Sequence, residues 1–278
     1  MIKIGYLGPK GTFSQEATLK YIEGRNDKYD IYEYNGISDL ILAVQNKEID
    51  EAMAPIENSL EGAINVTLDM LAIDVDLKIK GEVVILVKQN LLIKKGTDPK
   101  KIDCIISHPQ PIGQCRKYIN EKFPNAHIKY VYSTAGAAEE VAKGDGSLAA
   151  IGSSIAAKVY GLDILNESIQ DNDNNHTRFA VISQSDSERT GDDKTSIAFS
   201  SEDKPGSLYR ILDIFNLWDI NMTRIESRPA KNKLGRYIFF IDISGHREDE
   251  DLKNALTMVT RKTSFYKFLG SYPVFKGN

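Results

Sequence analysis

Strand-length apolar runs alternate with helically spaced segments through the first 184 residues. A chain with that rhythm has few choices beyond a sheet covered by helices. Ile2–Leu7 reads as a buried strand, and Ser14–Ile22 sets Ala17, Tyr21 and Ile22 on one side of a helix. Ile31–Tyr34 is a second strand, Ile37–Gln45 a second helix and Ala52–Ile56 a third strand. Strands linked through helices predict a mostly parallel sheet. Glu82–Ile93 is a longer β-rich stretch that carries the chain into a second lobe. There strands at Ile102–Ile106, Ile128–Tyr132 and Ser147–Ile151 alternate with helices at Ile112–Phe123, Ala135–Lys143 and Ile155–Tyr160, and Phe179–Ile182 is a late strand. Two α/β lobes in series imply a cleft for a small ligand.

The polar stretch Ser185–Lys194 lacks periodicity and reads as a linker. Beyond it, strands at Ser196–Ser200, Ile220–Ser227, Tyr237–Ile243 and Phe265–Phe275 enclose helices at Leu208–Leu217 and Leu252–Thr260. The order βαββαβ predicts a ferredoxin-like unit. The expected division is 1–184 (lobe 1 at about 1–80 and 168–184, lobe 2 at about 81–167), a linker at 185–194, and a C-terminal domain at 195–273. A net charge of −4 argues against a general nucleic-acid binder. Cys104 and Cys115 form neither a metal-ligand pair nor a disulfide framework, so no metal is expected and a reducing, cytoplasmic setting fits. The start Met1–Tyr6 does not read as a signal peptide, and apolar stretches such as Val83–Val87 are too short for a bilayer, so no membrane partner is expected.

Several segments can carry chemistry. Gly8-Pro9-Lys10-Gly11-Thr12-Phe13-Ser14 joins a strand to a helix, and Thr12 with Gln15 fits a capping box. Free N–H groups at that start favour an anion, although a well-capped tight turn explains the same residues. The segment matches neither a P-loop nor the dinucleotide fingerprint. Pro55–Gly62 sets Glu57, Asn58 and Ser59 at the carboxyl end of a strand, where open α/β sheets bind ligands; solvated acids beside a helix cap are the plain alternative. In Ser107–Cys115 two prolines fix a loop whose Gln110 and Gln114 can donate to an oxyanion, while His108 is either a general acid or structural. Cys115 reads as a small buried helical residue rather than a nucleophile. Ser133-Thr134 and Ser153-Ser154 open helices as caps. In Asn175-His176-Thr177-Arg178-Phe179, Arg178 can pair with a substrate carboxylate or with an internal acid, and Thr177 can donate to a leaving hydroxyl. Strand alternation turns His176 away from the side that Thr177 faces.

Gly8–Ser14, Pro55–Gly62, Ser107–Cys115, Ala149–Leu162 and Asn175–Phe179, in that order and followed by the C-terminal unit, closely resemble the prephenate dehydratases over nearly the whole chain. The resemblance implies two α/β lobes like those of periplasmic solute-binding proteins, with the active site between them, plus a ferredoxin-like ACT domain. It implies conversion of prephenate to phenylpyruvate, carbon dioxide and water, driven by aromatisation and needing no cofactor. By the same resemblance Thr177, Glu57, Asn58 and Gln114 are catalytic, and Thr12, Ser59, Ser107, Gln110, Thr134, Asn175, Arg178 and Phe179 bind substrate. Glu226-Ser227-Arg228-Pro229 matches the family's phenylalanine-sensing motif. Gly206-Ser207-Leu208-Tyr209 stands where the family has Gly-Ala-Leu-Val. A homodimer or homotetramer through ACT domains, with L-phenylalanine as effector, follows from the resemblance. Arogenate dehydratase and a non-catalytic aromatic-acid sensor are the competing readings.

Overall fold

The computed structural model describes residues 1–230 and 236–277; residues 231–235, which fall inside the expected 195–273 domain, lie outside the described set, as does 278. Strands β1 (Ile2–Leu7), β2 (Tyr29–Tyr34) and β3 (Glu51–Asn58) alternate with helices α1 (Phe13–Ile22) and α2 (Ile37–Gln45). A two-residue strand β4 (Gly62–Ala63), a short helix α3 (Asn65–Asp69) and a π-helical turn at Met70–Asp74 lead into β5 (Lys78–Leu86). The next elements are β6 (Asn90–Lys94), β7 (Cys104–Ser107), α4 (Pro109–Gln114), α5 (Arg116–Lys122), β8 (His127–Tyr130) and α6 (Thr134–Lys143). They are followed by β9 (Leu148–Gly152), α7 (Ser154–Tyr160), β10 (Leu162–Asn166) and β11 (His176–Ser183). The chain ends in β12 (Asp193–Ser200), α8 (Ser207–Leu217), β13 (Met222–Pro229), β14 (Tyr237–Ser244), α9 (Glu250–Lys262) and β15 (Phe265–Pro273).

The strands form three sheets, ordered β2-β1-β3-β11-β5 with β4 on β3, β10-β6-β9-β7-β8, and β13-β14-β12-β15. β1 and β2 are parallel, as strands joined through a helix should be. The second sheet departs from the mostly parallel expectation. β8, β7 and β9 run parallel, but β6 lies antiparallel to both β9 and β10. In the third sheet β13, β14, β12 and β15 pair antiparallel in turn, the strand order of a ferredoxin-like fold.

The chain divides into two compact units. One comprises Met1–Leu40, Met53–Gly62 and Val84–Phe179, the other Ile41–Ala52, Ala63–Val83 and Ala180–Asn278. In the first, period-two alternation sorts β6, β7 and β9 of the second sheet between two cores. Leu91, Ile93, Ile105, Ala149 and Ile151 pack with Ile112, Cys115 and Ile119 from α4–α5, while Leu92, Ile106 and Ala150 pack with Ala137, Ala138, Val141 and Ala156 from α6–α7. Each fully buried Leu or Ile contributes roughly 1.5–3 kcal/mol.

In the second unit α8 and α9 bury Ile211, Ile214, Phe215, Leu252, Ala255 and Val259 against Ile197, Phe199, Ile241 and Ile243. Residues 63–83 belong to the same unit and meet its sheet closely. A Cβ on Gly270 would stand 2.1 Å from the Ile79 carbonyl oxygen, so only glycine permits that approach. Lys194 pairs with Glu82 at 2.8 Å, and Lys267 Nζ donates to the carbonyls of Ala72 and Val75.

Candidate active site

A cavity of about 420 Å3 in the first unit gathers polar groups from segments far apart in the chain. Its wall takes Leu7, Gly8, Thr12, Phe13 and Ser14 from the β1–α1 junction, Asn35, Asn58 from the end of β3, and Val87 and Gln89 from the β5–β6 connection. His108, Gln110, Pro111 and Gln114 come from the start and body of α4, Tyr132, Ser133 and Thr134 from the start of α6, and Asn175 and Thr177 from the start of β11. A wider recess of about 580 Å3, running from Pro99 to Asn166, contains none of the residues singled out from sequence.

Three of the wall segments are helix starts, each capped by a side chain. Thr12 Oγ1 accepts the Gln15 N–H at 3.4 Å, and Gln15 Oε1 accepts the Gly11 N–H at 2.6 Å, a capping box displaced by one residue. His108 Nδ1 accepts the Gln110 N–H at 3.4 Å, so this histidine serves as a cap. Ser133 Oγ accepts the Gly136 N–H at 2.9 Å. No Lys or Arg lines the cavity among the described residues. Its attraction for an anion therefore rests on helix N-termini and side-chain amides.

The amides are fixed in direction by a chain of hydrogen bonds. Asn58 Oδ1 accepts the backbone N–H groups of Leu60 and Glu61, both at 3.0 Å. These donors cannot reverse, so the other end of the amide must be Nδ2. It donates to Asn175 Oδ1 at 2.8 Å and to Thr177 Oγ1 at 2.9 Å. Asn175 then has Nδ2 left to donate to Gln114 Oε1 at 3.2 Å, and Gln89 Nε2 reaches the same oxygen at 3.4 Å. Two consequences follow. Gln114 Nε2 has no acceptor among the described residues, and Thr177, whose oxygen already accepts a bond, keeps its hydroxyl proton for whatever occupies the cavity. Asn58 and Asn175 are buried, which protects the relay from water.

Gln114 owes its position to a break in the helix expected over 112–123. Cys115, at φ −115° and ψ 21°, separates α4 from α5. The Asp171 N–H donates to the Gln114 carbonyl at 2.6 Å, and the Asp171 carboxylate accepts the Lys117 N–H at 3.2 Å. The 171 loop thus supplies partners that an unbroken helix would have supplied itself. Cys115 is wholly buried, and its thiol is pushed up to about 12 by burial and then by the nearby charge of Asp171. Burial, then Asp103, also raises Cys104. A thiol raised this far is protonated at neutral pH and a poor nucleophile. Iodoacetamide near neutral pH is expected to leave turnover intact. Loss of activity in step with alkylation at Cys115, followed by mass spectrometry, would contradict this.

The structure does not bring every expected residue to the cavity. Glu57 and Arg178 pair with each other at 3.6 Å and neither lines it. The reason is alternation: Asn58 and Thr177 point one way from their strands, and their neighbours point the other. Exposed His176 is likewise turned away. Ser107 is fully buried and donates to the Ile151 carbonyl at 2.8 Å, and Phe179 is 2% exposed in the core. Ser59 accepts the His176 N–H and donates to the Asn174 carbonyl, closing the turn beside β11. Thr12, Gln110, Gln114, Thr134, Asn58, Asn175 and Thr177 do line the cavity. Gln89 was missed; its signal is the polar trio Lys88-Gln89-Asn90, which interrupts an otherwise apolar run.

In the second unit Gly206, Ser207 and Leu208 border a recess of about 210 Å3 whose wall does not include Glu226, Ser227, Arg228 or Pro229. Gly206 begins α8 at φ +76°, a left-handed conformation that suits glycine. Arg228 is held in a fork by Asp69, with Nε to Oδ1 at 3.4 Å and Nη2 to Oδ2 at 3.2 Å.

Comparison with known proteins gives two matching family models, prephenate dehydratase over residues 4–187 and ACT domain over residues 195–257. The prephenate dehydratase of Methanocaldococcus jannaschii is 43% identical over 274 residues, 97% of each chain. Prephenate dehydratase from Arthrobacter aurescens, solved in complex with L-Phe, superposes with a TM-score of 0.89 at 36% identity, covering 98% of this chain and 90% of that one. A structure described as GqqA, a novel type of quorum quenching acylase, superposes with a TM-score of 0.86 at 28% identity, covering 98% of both chains.

Proposed function

This chain belongs to the prephenate dehydratase family, and we propose that it converts prephenate to phenylpyruvate, carbon dioxide and water in the cavity that Thr177 lines. The observation that carries the placement is the amide relay, which leaves the Thr177 hydroxyl proton without an acceptor among the described residues. Prephenate is a dianion with a ring hydroxyl. As the ring carboxylate leaves as carbon dioxide, its bonding electrons enter the ring and expel the hydroxyl as hydroxide, which takes a proton from solvent to become water, and aromaticity is gained. The protein needs to hold the dianion, orient it and stabilise the departing oxygen. Helix starts at Thr12 and Thr134 suit the carboxylates, with Gln110 and Asn175 beside them. Gln114 Nε2 and Thr177 Oγ1 supply donors, and Asn58 aims Thr177. A threonine is too weak an acid for full proton transfer at neutral pH, so its contribution is a hydrogen bond to developing charge. Glu57 and Arg178 act by fixing the strand ends behind the site, Ser59 closes the turn beside β11, and Ser107 and Phe179 shape the site from within the fold.

In this reading the catalytic domain is 1–184, with lobes at about 1–80 plus 168–184 and 81–167; 185–194 connects it to an ACT domain at 195–273. Acyl transfer is less well supported. It needs a nucleophile beside a base, and among the described residues no hydroxyl lining the cavity hydrogen-bonds a histidine. No described helix is long and apolar enough to cross a membrane, and a cytoplasmic location accords with the chemistry.

The decisive assay mixes purified protein with prephenate and follows phenylpyruvate, with arogenate as a parallel substrate yielding phenylalanine. Prephenate turnover exceeding arogenate turnover supports the reading, and the reverse makes the chain an arogenate dehydratase.

The Arthrobacter relative's complex with L-Phe supports phenylalanine as an effector here too. Its contacts would be Gly206, Ser207 and Leu208 with Glu226, Ser227, Arg228 and Pro229, brought together by a homodimer or homotetramer through ACT domains. Arg228→Ala is expected to raise the half-inhibiting phenylalanine concentration about 10-fold. It should also cost roughly 1.5–3 kcal/mol of stability, since it strips a charged partner from Asp69. Asp69→Asn separates the two effects. It weakens the fork while keeping Arg228, and unchanged inhibition in the Arg228→Ala variant, whatever its stability, would remove Arg228 from the sensor.

A further inference from the structure

We infer that Gln89 is a substrate-orienting residue whose Oε1 accepts the hydrogen bond of the substrate's ring hydroxyl. The inference rests on the prephenate reading above and adds a group to its site. Gln89 lines the cavity and is only 2% exposed, yet its Oε1 is buried with no hydrogen-bond partner among the described residues. A buried acceptor without a donor is uncommon, because water has been stripped from it and nothing has replaced it. Rotating the amide would not help. The group facing it is Gln114 Oε1, and the relay from the Leu60 and Glu61 N–H groups through Asn58 and Asn175 fixes that oxygen as an acceptor. Gln89 must therefore present Nε2 to Gln114 and keep Oε1 open.

The backbone gives the side chain a rigid base. The Gln89 N–H donates to Gln170 Oε1 at 2.9 Å, and its carbonyl accepts the Ile169 N–H at 2.8 Å. The missing partner must be a donor. At neutral pH prephenate has two carboxylates and a ketone, all acceptors, and one donor, the ring hydroxyl. A donorless acceptor on a side chain that lines the same cavity as Thr177 thus matches the one group on the substrate that can fill it. The arrangement has a consequence for the reaction. With its proton held by Gln89, the hydroxyl turns a lone pair towards the Thr177 O–H, the geometry in which a donor stabilises the oxygen as it leaves.

The test uses Gln89→Met and Gln89→Leu in the full chain, with three readouts. The ligand-free variants should melt at or above the wild-type temperature, because they lose an unsatisfied acceptor. Their kcat/KM for prephenate should fall about 10-fold, the loss expected for one hydrogen bond. Inhibition by phenylpyruvate, which lacks the ring hydroxyl, should stay within about twofold. Equal weakening of prephenate and phenylpyruvate would show that Gln89 only shapes the cavity, and overturn the assignment. So would an early-melting pair of variants, which would make the residue structural. Wild-type protein that turns over prephenate beside unaffected variants defeats this inference alone, whereas wild-type protein that forms no phenylpyruvate defeats the parent reading as well.

Discussion

Thr177→Ala is expected to lower kcat by ~10²–10³-fold, the range seen when a positioned donor to developing negative charge is removed. Thr177 sits at the start of β11, half-exposed at the cavity, and its oxygen accepts the Asn58 amide at 2.9 Å. Alanine deletes the donor without disturbing a core contact, so the melting temperature should move by no more than a few degrees. The KM for prephenate should change much less than kcat, because the hydrogen bond strengthens as the hydroxyl departs. Thr177→Ser retains the donor and should recover most of the lost rate. Steady-state kinetics on the three proteins decide the matter. Turnover of the alanine variant within a few-fold of wild type would remove Thr177 from the reaction.

The second large effect is expected at Asn58, and Asn58→Asp isolates it. Aspartate keeps an oxygen for the Leu60 and Glu61 N–H groups, so the turn after β3 should survive. What it loses is the donor half. The bonds to Asn175 Oδ1 and Thr177 Oγ1 disappear, and a carboxylate now faces the threonine. Thr177 then turns its proton towards residue 58 and away from the substrate. A new negative charge also opposes a dianion in a cavity whose wall carries no Lys or Arg among the described residues. Turnover should fall by ~10²-fold or more and KM should rise, against the kcat-dominated pattern at Thr177. A variant with near-normal kcat would show that the direction of the relay is irrelevant to catalysis.

These effects turn on directions that the sequence contains only in part. Alternation along a strand was enough to place Thr177 and His176 on opposite sides. The same rule, applied to Glu57-Asn58 and Thr177-Arg178, separates the cavity pair from the ion pair behind it. The α/β rhythm and the ferredoxin-like order were legible because buried strands and amphipathic helices differ in period. Long-range partners were not legible. The helix break that positions Gln114 depends on Asp171, 54 residues beyond Lys117 in the chain. Arg228 finds its acid at Asp69, 159 residues away. β10 carries no buried-strand pattern of its own, because only Leu162 of its five residues is buried, and it gains its identity by pairing with β6. Gln89 stands out only when the acceptors around it have been counted.

The ring hydroxyl is expected to lie between the Thr177 donor and the Gln89 acceptor. A crystal structure of the protein with a ring-saturated prephenate analogue tests it most directly, since such a compound keeps the hydroxyl and both carboxylates but cannot aromatise. The hydroxyl oxygen should lie about 3 Å from both Thr177 Oγ1 and Gln89 Oε1, with the carboxylates towards the helix starts. A carboxylate between those two side chains, with the hydroxyl turned to solvent, would contradict the account.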